Sequence, residues 1–368
     1  MTKYIIQRVI WIFIILFTTL TITFLLLKLA PEYPPTKNDD KDTWLEKQVS
    51  EGYYTSVYYF QSDPATEQII KDIQNPVLNP AINKTVFVVQ PVSDSGIYKV
   101  FTRVPIVTQY GLWLHNVIFE WDWGTSTKIR VNYPAFQIIA DKMPLTLSLN
   151  LSALFFYLPF GFAFGILAAL KKDSLVDNIM QIVVMVFLSV PSLIFILLLI
   201  IVFSYKLDNL LPSLFPLVGI ESSAKIAEGF VIPVLAMALP SIAGLTRLLR
   251  AELSEVLTSE FVLLAKTKGL SHTQAVLRHA IRNSLVPMVP IIIGSFAGLL
   301  GGSFIMERVY AVPGVGRVTL QALATGNYDY NVIMASSAFY GIVGLFTVLI
   351  VDLSYGIIDP QIRMGARK

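Results

Sequence analysis

Six long runs of apolar residues divide the chain, and each has about the length of one membrane crossing. They lie at 9–29, 145–170, 179–205, 230–249, 285–306 and 332–358. A helix needs about 20 apolar residues to cross the hydrocarbon layer of a bilayer. Since isolated strands cannot satisfy their backbone groups in lipid, each run is expected to be helical. The pattern therefore predicts an all-α membrane protein with six transmembrane helices.

Charged residues enter these runs only near their ends. The second, third and fifth runs contain none, Arg247 lies in the last turn of the fourth, and Asp352 lies near one end of the sixth. The first run has the position of a signal peptide. Its apolar core is longer than usual, however, and Pro31 follows the small residue Ala30, which makes a poor cleavage site. We therefore expect this run to remain an uncleaved helix.

The distribution of Lys and Arg predicts the orientation, because positive residues concentrate on the cytosolic side of a membrane protein. Basic residues cluster at the N-terminus, at 171–172, between 247 and 286, and in the tail. The alternate loops, 206–229 and 307–331, carry few of them. We expect both termini to be cytosolic, which places the segment 31–140 outside.

The polar segment 31–140 is too long for a simple connecting loop and is expected to have a structure of its own. Its short β-type stretch at 85–89 and its aromatic patch at 53–60 predict a small mixed or irregular extracytoplasmic domain. The organisation then has four parts: an N-terminal transmembrane helix (1–30), the extracytoplasmic domain (31–140), a five-helix core (141–358) that includes a cytosolic loop (251–286), and a cytosolic tail (359–368).

Composition supports a membrane protein and excludes several chemistries. Hydrophobic residues make up 54% of the chain and charged residues only 14%, against about 25% charged in ordinary soluble proteins. The net charge of +3 is too small to indicate nucleic-acid binding. The absence of cysteine excludes disulfides, thiolate nucleophiles and cysteine-based metal sites. None of the three histidines has a plausible metal-ligand partner, so no metal site and no catalytic group is predicted.

The loop 251–286 contains the most informative pattern. The stretch 260–268 predicts a short helix, and Gly269 occupies the position where a left-handed C-cap residue is preferred. Ser271, with Gln274 three residues later, has the form of a capping box that begins a second helix. The loop is therefore expected to be two short helices that meet at a glycine.

The second helix of this loop is expected to be amphipathic. Its apolar face comprises Val276, Leu277, Ala280, Ile281, Ser284 and Leu285. Arg278 and Arg282 lie on the other face. Such a loop suits either a rigid knob that a cytosolic partner binds or an interfacial amphipathic segment without a partner. The pattern alone leaves both interpretations open.

Neutral polar residues within the runs are the candidate pore lining, because no charge lies at mid-membrane. The candidates are Ser148, Asn150, Ser152, Ser189, Ser192, Ser295 and Ser303, with Ser336 and Ser337 as further polar positions. Small residues at such positions also allow helices to pack closely, which is the alternative explanation. Pro159 and Pro191 either kink their helices or are ordinary membrane-helix prolines.

A glycine-rich turn follows the fifth run on the predicted outer side. Pro313, Gly314 and Gly316 predict a tight turn, and Tyr328 and Asp329 follow it in an aromatic and polar stretch. We interpret these residues as candidates for an outer gate or a contact with a binding protein. A simple cap at the membrane interface is the alternative.

Several motifs, in order and spacing, resemble the first-permease branch of the dipeptide and oligopeptide (peptide/nickel) ABC importer permeases. The resemblance covers about 105–368 closely and 1–30 loosely. The matching stretches are QY at 109–110, WL at 113–114, WGTS at 123–126, RLLR at 247–250, LSEVL at 253–257, FVLLAKTKGL at 261–270, LRHAIRNSLVP at 277–287, MERVYAVPGVGR at 306–317 and DPQIR at 359–363. Residues 31–104 match nothing in the family, and Leu263, Leu264 and Ala265 replace the Glu-Ala-Ala of the broader coupling loop.

The resemblance implies a type I ABC importer permease fold in a bacterial plasma membrane, where lipid surrounds the chain. It implies a second homologous permease, two cytosolic ABC ATPases and an extracytoplasmic peptide-binding protein as partners, with no nucleic acid. The chain has no phosphate-binding loop and no Gly-Lys pair, so we expect ATP and Mg²⁺ on the partners and no cofactor here. The implied ATPase-coupling residues are Glu260, Ala265, Lys266, Lys268, Gly269, Leu270, Arg278 and Arg282.

Other functions remain as alternatives. Related permeases are associated with nickel chelates and glutathione as well as with dipeptides and longer peptides. A proton-coupled carrier requires titratable groups in the membrane interior, and the central stretches here have none. A membrane enzyme requires a catalytic pair, but these helices offer serines without a neighbouring histidine, lysine or paired aspartate. A scaffold without transport activity would be distinguished by its failure to copurify with ATPases.

Overall fold

The structure, a computed structural model, describes residues 2–29, 38–60, 64, 86–91, 97–324 and 328–358. The predicted tail 359–368, Thr85 and the stretch 325–327 lie outside this part of the chain. The helices are α1 (Thr2–Leu29), α2 (Asn38–Ser50), α3 (Ile106–His115), α4 (Ala135–Leu170), α5 (Leu175–Ser189), α6 (Ser192–Ile200), α7 (Ser223–Leu257), α8 (Glu260–Thr267), α9 (His272–Ala275), α10 (Ile281–Ser284), α11 (Val289–Ala297), α12 (Phe304–Val309), α13 (Val315–Ala322) and α14 (Tyr330–Ile358). The strands are β1 (Tyr54–Phe60), β2 (Val86–Pro91) and β3 (Ile97–Arg103).

Five helical stretches in the described residues are long and apolar enough to span a membrane. They are Ile5–Leu29, Ala135–Leu170, Ser223–Leu257, His272–Val309 and Tyr330–Ser354. A sixth span exists if α5 and α6, with its continuation Ile201–Lys206, form one crossing. At about 1.5 Å per residue, the 36 residues of α4 and the 35 of α7 are longer than a hydrocarbon layer of about 30 Å. Both helices are therefore longer than a single crossing requires.

The third apolar run is a broken helix rather than a kinked one. The axes of α5 and α6 differ by 100°. Val190, between them, is extended (φ −82°, ψ 121°), and Pro191 precedes the first residue of α6. A proline disfavours the helical region for the residue before it, which explains why the chain leaves the helix at Val190. Pro159, by contrast, lies inside the continuous α4.

The fifth apolar run is also less regular than a single helix. A 3₁₀ turn at Val286–Met288 precedes α11, and a second at Gly298–Gly301 follows it. Gly302 has a positive φ of +66° and separates this turn from α12. The predicted span over 285–306 therefore lies within the apolar stretch His272–Val309, but 3₁₀ turns on both sides of α11 and the positive φ of Gly302 divide it.

The helices α4 and α7 pack along their length and form the centre of the fold. A Cβ atom added at Gly161 would lie 2.6 Å from Leu245 Cδ2, and one at Gly165 would lie 2.8 Å from Leu249 Cβ. Two small residues four positions apart thus allow the helices a close approach, as is common in membrane proteins. This packing fixes the positions of both ends of the molecule.

A small domain lies beside the start of α4. Its antiparallel sheet has the order β1-β3-β2, and α2 covers it through a core of Leu45, Tyr54 and Phe101. The Nζ of Lys47 donates a hydrogen bond of 2.8 Å to Asn132 Oδ1, which joins the domain to the segment before α4. We call this end of the molecule the domain side and the opposite end, where 251–286 lies, the loop side.

Candidate coupling and translocation sites

The turn between α8 and α9 has the predicted geometry. Gly269 has a φ of +93°, in the left-handed region that favours glycine. The backbone N–H of Gln274 donates to Ser271 Oγ (3.3 Å), and the N–H of Ser271 donates to Gln274 Oε1 (3.2 Å). The predicted capping box is therefore confirmed, and it fixes the direction in which the second helix leaves the turn.

The loop is attached to the end of α7 by a buried apolar cluster. Its members are Ala169, Leu245, Leu249, Leu253, Val262, Ala265, Ala275, Ala280 and Met288. Side chains from both short helices thus pack against the last four turns of α7. Because close-packed interiors deform little, we expect the loop to follow α7 when that helix moves. We call residues 258–285 the coupling loop.

The coupling loop exposes four large apolar side chains, and together they are called its apolar face below. The exposed fractions are 44% for Phe261, 63% for Leu263, 55% for Leu264 and 61% for Leu277. Leu277 belongs to the predicted apolar face of the second helix but, unlike Val276 and Ala280, it is not buried within the protein. The local π-helical turn at Val276–Ala280 rotates it outward. Exposed apolar patches of this kind mark surfaces that bind a protein or a membrane.

The predicted coupling residues do not all share this face. Glu260, Lys268, Gly269, Arg278 and Arg282 are exposed, whereas Lys266 and Leu270 are half-buried. Ala265 is 6% exposed and belongs to the chain's own core. It positions the exposed residues and does not itself present a surface. Sequence reasoning missed Phe261, Leu263 and Leu264, although a helix that reads FVLLA has more apolar residues than one buried face can cover.

An ion pair on the loop side joins α5 to α7. Arg250 Nε lies 2.6 Å from Asp177 Oδ1, and Arg250 Nη2 lies 2.6 Å from Asp177 Oδ2. Asp177 also accepts a hydrogen bond from the backbone N–H of Asp173 (2.9 Å), and Ser174 caps the first turn of α5. The side chain of Asp177 is 1% exposed. This two-bond geometry gives α5 a defined position relative to the helix that carries the coupling loop.

A cleft of about 230 Å³ opens between α4, α7 and α11, and we call it the polar cleft because polar side chains are interspersed with its apolar lining. Asn150 and Ser295, both predicted pore residues, line it together with Tyr157 and Ser241. The Nδ2 of Asn150 donates a hydrogen bond of 2.6 Å to the carbonyl of Leu299. Tyr157 and Ser241 were missed because single polar residues in an apolar run do not reveal which side of the helix they occupy.

The other predicted pore residues lie elsewhere. Ser148 and Ser152 are exposed and donate to carbonyls of their own helix, at Pro144 and Ser148 respectively. Ser189 and Ser192 flank the break between α5 and α6 and are exposed. Ser303 is half-buried and precedes α12. The structure therefore brings only Asn150 and Ser295 of this set into one cleft.

On the domain side, the glycine-rich turn wraps around a buried carboxylate. Glu307 is fully buried, accepts a hydrogen bond from Thr146 Oγ1 (3.0 Å), and accepts another from the backbone N–H of Arg317 (3.1 Å). A Cβ atom at Gly314 would lie 2.4 Å from Glu307 Oε2, and one at Gly316 would lie 3.1 Å from it. The carboxylate thus sits at the N-terminus of α13, where the helix dipole favours negative charge.

Asp329, a predicted gate residue, is also fully buried. Its Oδ2 accepts hydrogen bonds from Ser126 Oγ (2.6 Å) and from three successive backbone N–H groups at 127, 128 and 129, at 3.0–3.2 Å. The residue therefore joins the segment before α4 to the start of α14. Pro313 and Tyr328 are half-buried, and Gly314 and Gly316 are buried.

These features define a class of protein. Apolar spanning helices enclose a polar cleft, and a rigid loop on one side carries an uncovered apolar face, as expected of a membrane permease that works with partner subunits. Residues 161–364 match the family described as binding-protein-dependent transport system inner membrane component. The chain belongs to this family, and it is a permease subunit of an ABC transporter.

Curated relatives agree with this assignment. The chain is 32% identical over 260 residues to the dipeptide transport system permease protein DppB of Lactococcus lactis subsp. cremoris. The aligned residues make up 71% of this chain and 82% of the relative. It is 30% identical over 259 residues to the oligopeptide transport system permease protein OppB of Escherichia coli, and the aligned residues make up 70% of this chain and 81% of that relative.

Solved structures give a more distant likeness. A chain of an amino acid ABC transporter crystallised with histidines is 19% identical, with a TM-score of 0.43 over 59% of this chain and 92% of that chain. A chain of the inward-facing MetNI methionine ABC transporter is 16% identical, with a TM-score of 0.42 over 62% and 96%.

Proposed function

We propose that this chain forms half of the translocation pore of a peptide importer. A second, homologous permease supplies the other half, two cytosolic ATPases bind ATP and Mg²⁺, and an extracytoplasmic protein delivers the peptide. The chain itself has no catalytic role and binds no cofactor. The observation that carries this proposal is the uncovered apolar face of a loop that is packed rigidly onto a membrane-spanning helix.

In this proposal the loop side is cytosolic and the domain side is extracytoplasmic, in a bacterial plasma membrane, with both termini inside. The charges support this orientation. Lys171 and Lys172 directly follow α4 on the loop side, and Lys266, Arg278 and Arg282 lie in the coupling loop. Positive residues favour the cytosolic face.

The coupling loop provides both a binding surface for a partner and a contact that can transmit the partner's movement to the membrane helices. Phe261, Leu263 and Leu264 present apolar area that an ATPase cleft can bury, and Lys268 and Arg282 lie on exposed positions around it. Interfaces commonly combine an apolar centre with a polar rim. Because the same loop packs on α7, a displacement of the partner passes directly into a helix that lines the polar cleft.

The cleft supports a path for peptides of varied sequence. Its polar groups are neutral, which suits a route that has to let its cargo leave again. Asn150 donates its Nδ2 hydrogen to the carbonyl of Leu299, and its side-chain amide also has an acceptor oxygen that a peptide N–H could use. The names of the relatives support peptides as the substrate class.

The experiment uses the left-handed turn. Gly269→Val places a β-branched residue at a φ of +93°, which strains the turn without creating a clash, since no atom lies within 4 Å of the added Cβ. Gly219→Val is the matched control, because Gly219 has a φ of +86° and equal free space but lies on the domain side. Both variants are assembled with the partner subunits, and peptide uptake and ATP hydrolysis are measured in proteoliposomes.

We expect Gly269→Val to insert normally but to lose at least about tenfold in the number of peptides imported per ATP hydrolysed. The control variant Gly219→Val should keep the normal ratio. Normal uptake by the Gly269 variant contradicts the proposal. Uptake that follows the proton gradient and persists without ATP identifies a proton-coupled carrier instead.

A further inference from the structure

A second cavity, on the domain side, is lined by charge that the coupling and pore residues do not use. It has a volume of about 350 Å³ and lies between the start of α4, the segment before it, and α13. Its polar lining comprises Arg130, Asp141, Lys142, Arg317 and Gln321, and Ile138 and Val318 add apolar wall. Cavities of roughly 300–1,000 Å³ are typical of sites that bind small molecules.

The charges of this cavity do not balance. Three cations face one carboxylate, which is Asp141. That carboxylate is already engaged, because it accepts hydrogen bonds from Gln137 Nε2 (2.8 Å) and Tyr133 Oη (3.1 Å) and lies 3.7 Å from Arg130 Nη1. Lys142 has no hydrogen bond or ion pair among the described residues. The lining therefore has an excess of two positive charges.

Two of the cations are held in place before any ligand arrives. The guanidinium of Arg130 stacks on the ring of Tyr133, at 3.7 Å from its centroid. The guanidinium of Arg317 donates to the carbonyl of Ala311. Ordering these side chains in advance lowers the entropic cost of binding. A planar guanidinium presents paired donors that match the two oxygens of a carboxylate.

We propose that this cavity is a subsite for the terminal carboxylate of a peptide on its way into the pore. Every unmodified peptide has such a carboxylate, so the site recognises the class without selecting a sequence. The apolar wall formed by Ile138 and Val318 accommodates side chains of varied shape. The inference rests on the proposed peptide import and adds to it a receiving site on the permease itself.

The absence of cysteine provides the test. Gln321→Cys places a single thiol in the cavity, and Ser223→Cys places one on an exposed domain-side position away from it. The assembled transporter is reconstituted in phosphatidylcholine nanodiscs. The rates of labelling by an anionic and a cationic methanethiosulfonate of equal size are then compared in each cysteine variant. The comparison is repeated in the same variants after the second substitution Lys142→Gln or Arg317→Gln.

We expect the anionic reagent to be favoured at position 321 and not at position 223. Each neutralisation should lower the anionic-to-cationic ratio about fourfold, because one unit charge at roughly 10 Å in water changes the local concentration of a monovalent ion about twofold in each direction. Lys206→Gln, which removes an exposed charge outside the cavity, should leave the ratio unchanged. Equal rates for both reagents overturn the proposal.

Protection from labelling identifies the ligand. Alanylalanine should slow labelling of the Gln321→Cys variant at least about threefold, whereas alanylalaninamide, which lacks the carboxylate, should not. Equal protection by both, or protection by neither, overturns the proposal. If the binding protein alone protects, the site docks an acidic surface. If phosphatidylglycerol alone protects, it binds lipid headgroups. ATP-dependent uptake by the cysteine-free chain, measured in parallel, tests peptide import separately.

Discussion

The ion pair between Asp177 and Arg250 leads to an asymmetric prediction. Asp177 is buried at the first turn of α5, with its side chain 1% exposed, whereas the side chain of Arg250 on α7 is 23% exposed. Removing either partner leaves the other without its counter-charge. The two losses differ because only the guanidinium, on a long flexible stem, is able to reach water. Arg250→Gln is therefore expected to destabilise the protein more than Asp177→Asn.

The magnitudes follow from what each variant leaves behind. Arg250→Gln leaves the buried carboxylate of Asp177 with hydrogen bonds only from the N–H of Asp173 (2.9 Å) and, at longer range, from Gln181 (3.4 Å). The free energy of unfolding should therefore fall by an amount near the lower end of the range of roughly 3–5 kcal/mol for breaking a buried pair. Asp177→Asn should cost about 1–2 kcal/mol. The double variant should lower the free energy of unfolding by about 2 kcal/mol, which is less than the sum of the two single losses, because it leaves no unpaired charge.

The assay is a double-mutant cycle on the apparent melting temperature of the assembled transporter. At about 2 °C per kcal/mol for a chain of this size, Arg250→Gln should lower the midpoint by about 6 °C. Arg247→Gln is the matched control, since Arg247 is an exposed arginine on the same helix, and it should shift the midpoint by no more than about 1 °C. Equal single effects, or a double variant equal to their sum, would refute the reasoning.

Two further predictions concern the domain side. Gly314→Ala places a methyl group 2.4 Å from Glu307 Oε2 and 2.5 Å from Thr146 Oγ1, so it should destabilise the protein by about 1–3 kcal/mol. Gly111→Ala, which meets no atom within 4 Å, is the control in the same melting assay. Equal melting midpoints for the two variants would contradict the close packing of Gly314 against the Glu307 carboxylate. Asp329→Ala removes the acceptor of three backbone N–H groups at 127–129, so trypsin should cut after Lys128 or Arg130 much faster in the folded transporter. Glu120→Ala, at an exposed carboxylate on the same side, should leave this cleavage rate unchanged.

The sequence predicted elements whose causes are local. Apolar runs identify the spanning helices, and the turn at Gly269 with its capping box depends on residues within five positions of one another. The angle between α5 and α6 was not predictable in this way. Proline at 191 indicates that the helix is disturbed, but hydropathy contains nothing about whether the result is a slight kink or the observed 100° break.

The role of Asp329 depends on residues about 200 positions away. Its partners at 126–129 lie before α4, whereas Asp329 precedes α14. In the sequence, an aspartate between two tyrosines is typical of an exposed interface, so it was interpreted as part of an outer gate or of a contact with a binding protein. The exposure of Leu277 was not predictable for a related reason: the π-helical turn shifts the periodicity on which the amphipathic pattern depends.

The connection between the two ends of the molecule is a property of α4. This helix is continuous for 36 residues. In its domain-side half, Thr146 donates a hydrogen bond to Glu307. Near its loop-side end, Ala169 belongs to the buried apolar cluster that attaches the coupling loop to α7. The paired α7 is fixed to it through Gly161 and Gly165. Packed interiors deform little, so we expect a shift of the coupling loop to carry the Glu307 turn with it, to break a buried contact at one of these points, or to be absorbed by bending at the prolines inside α4 and α7.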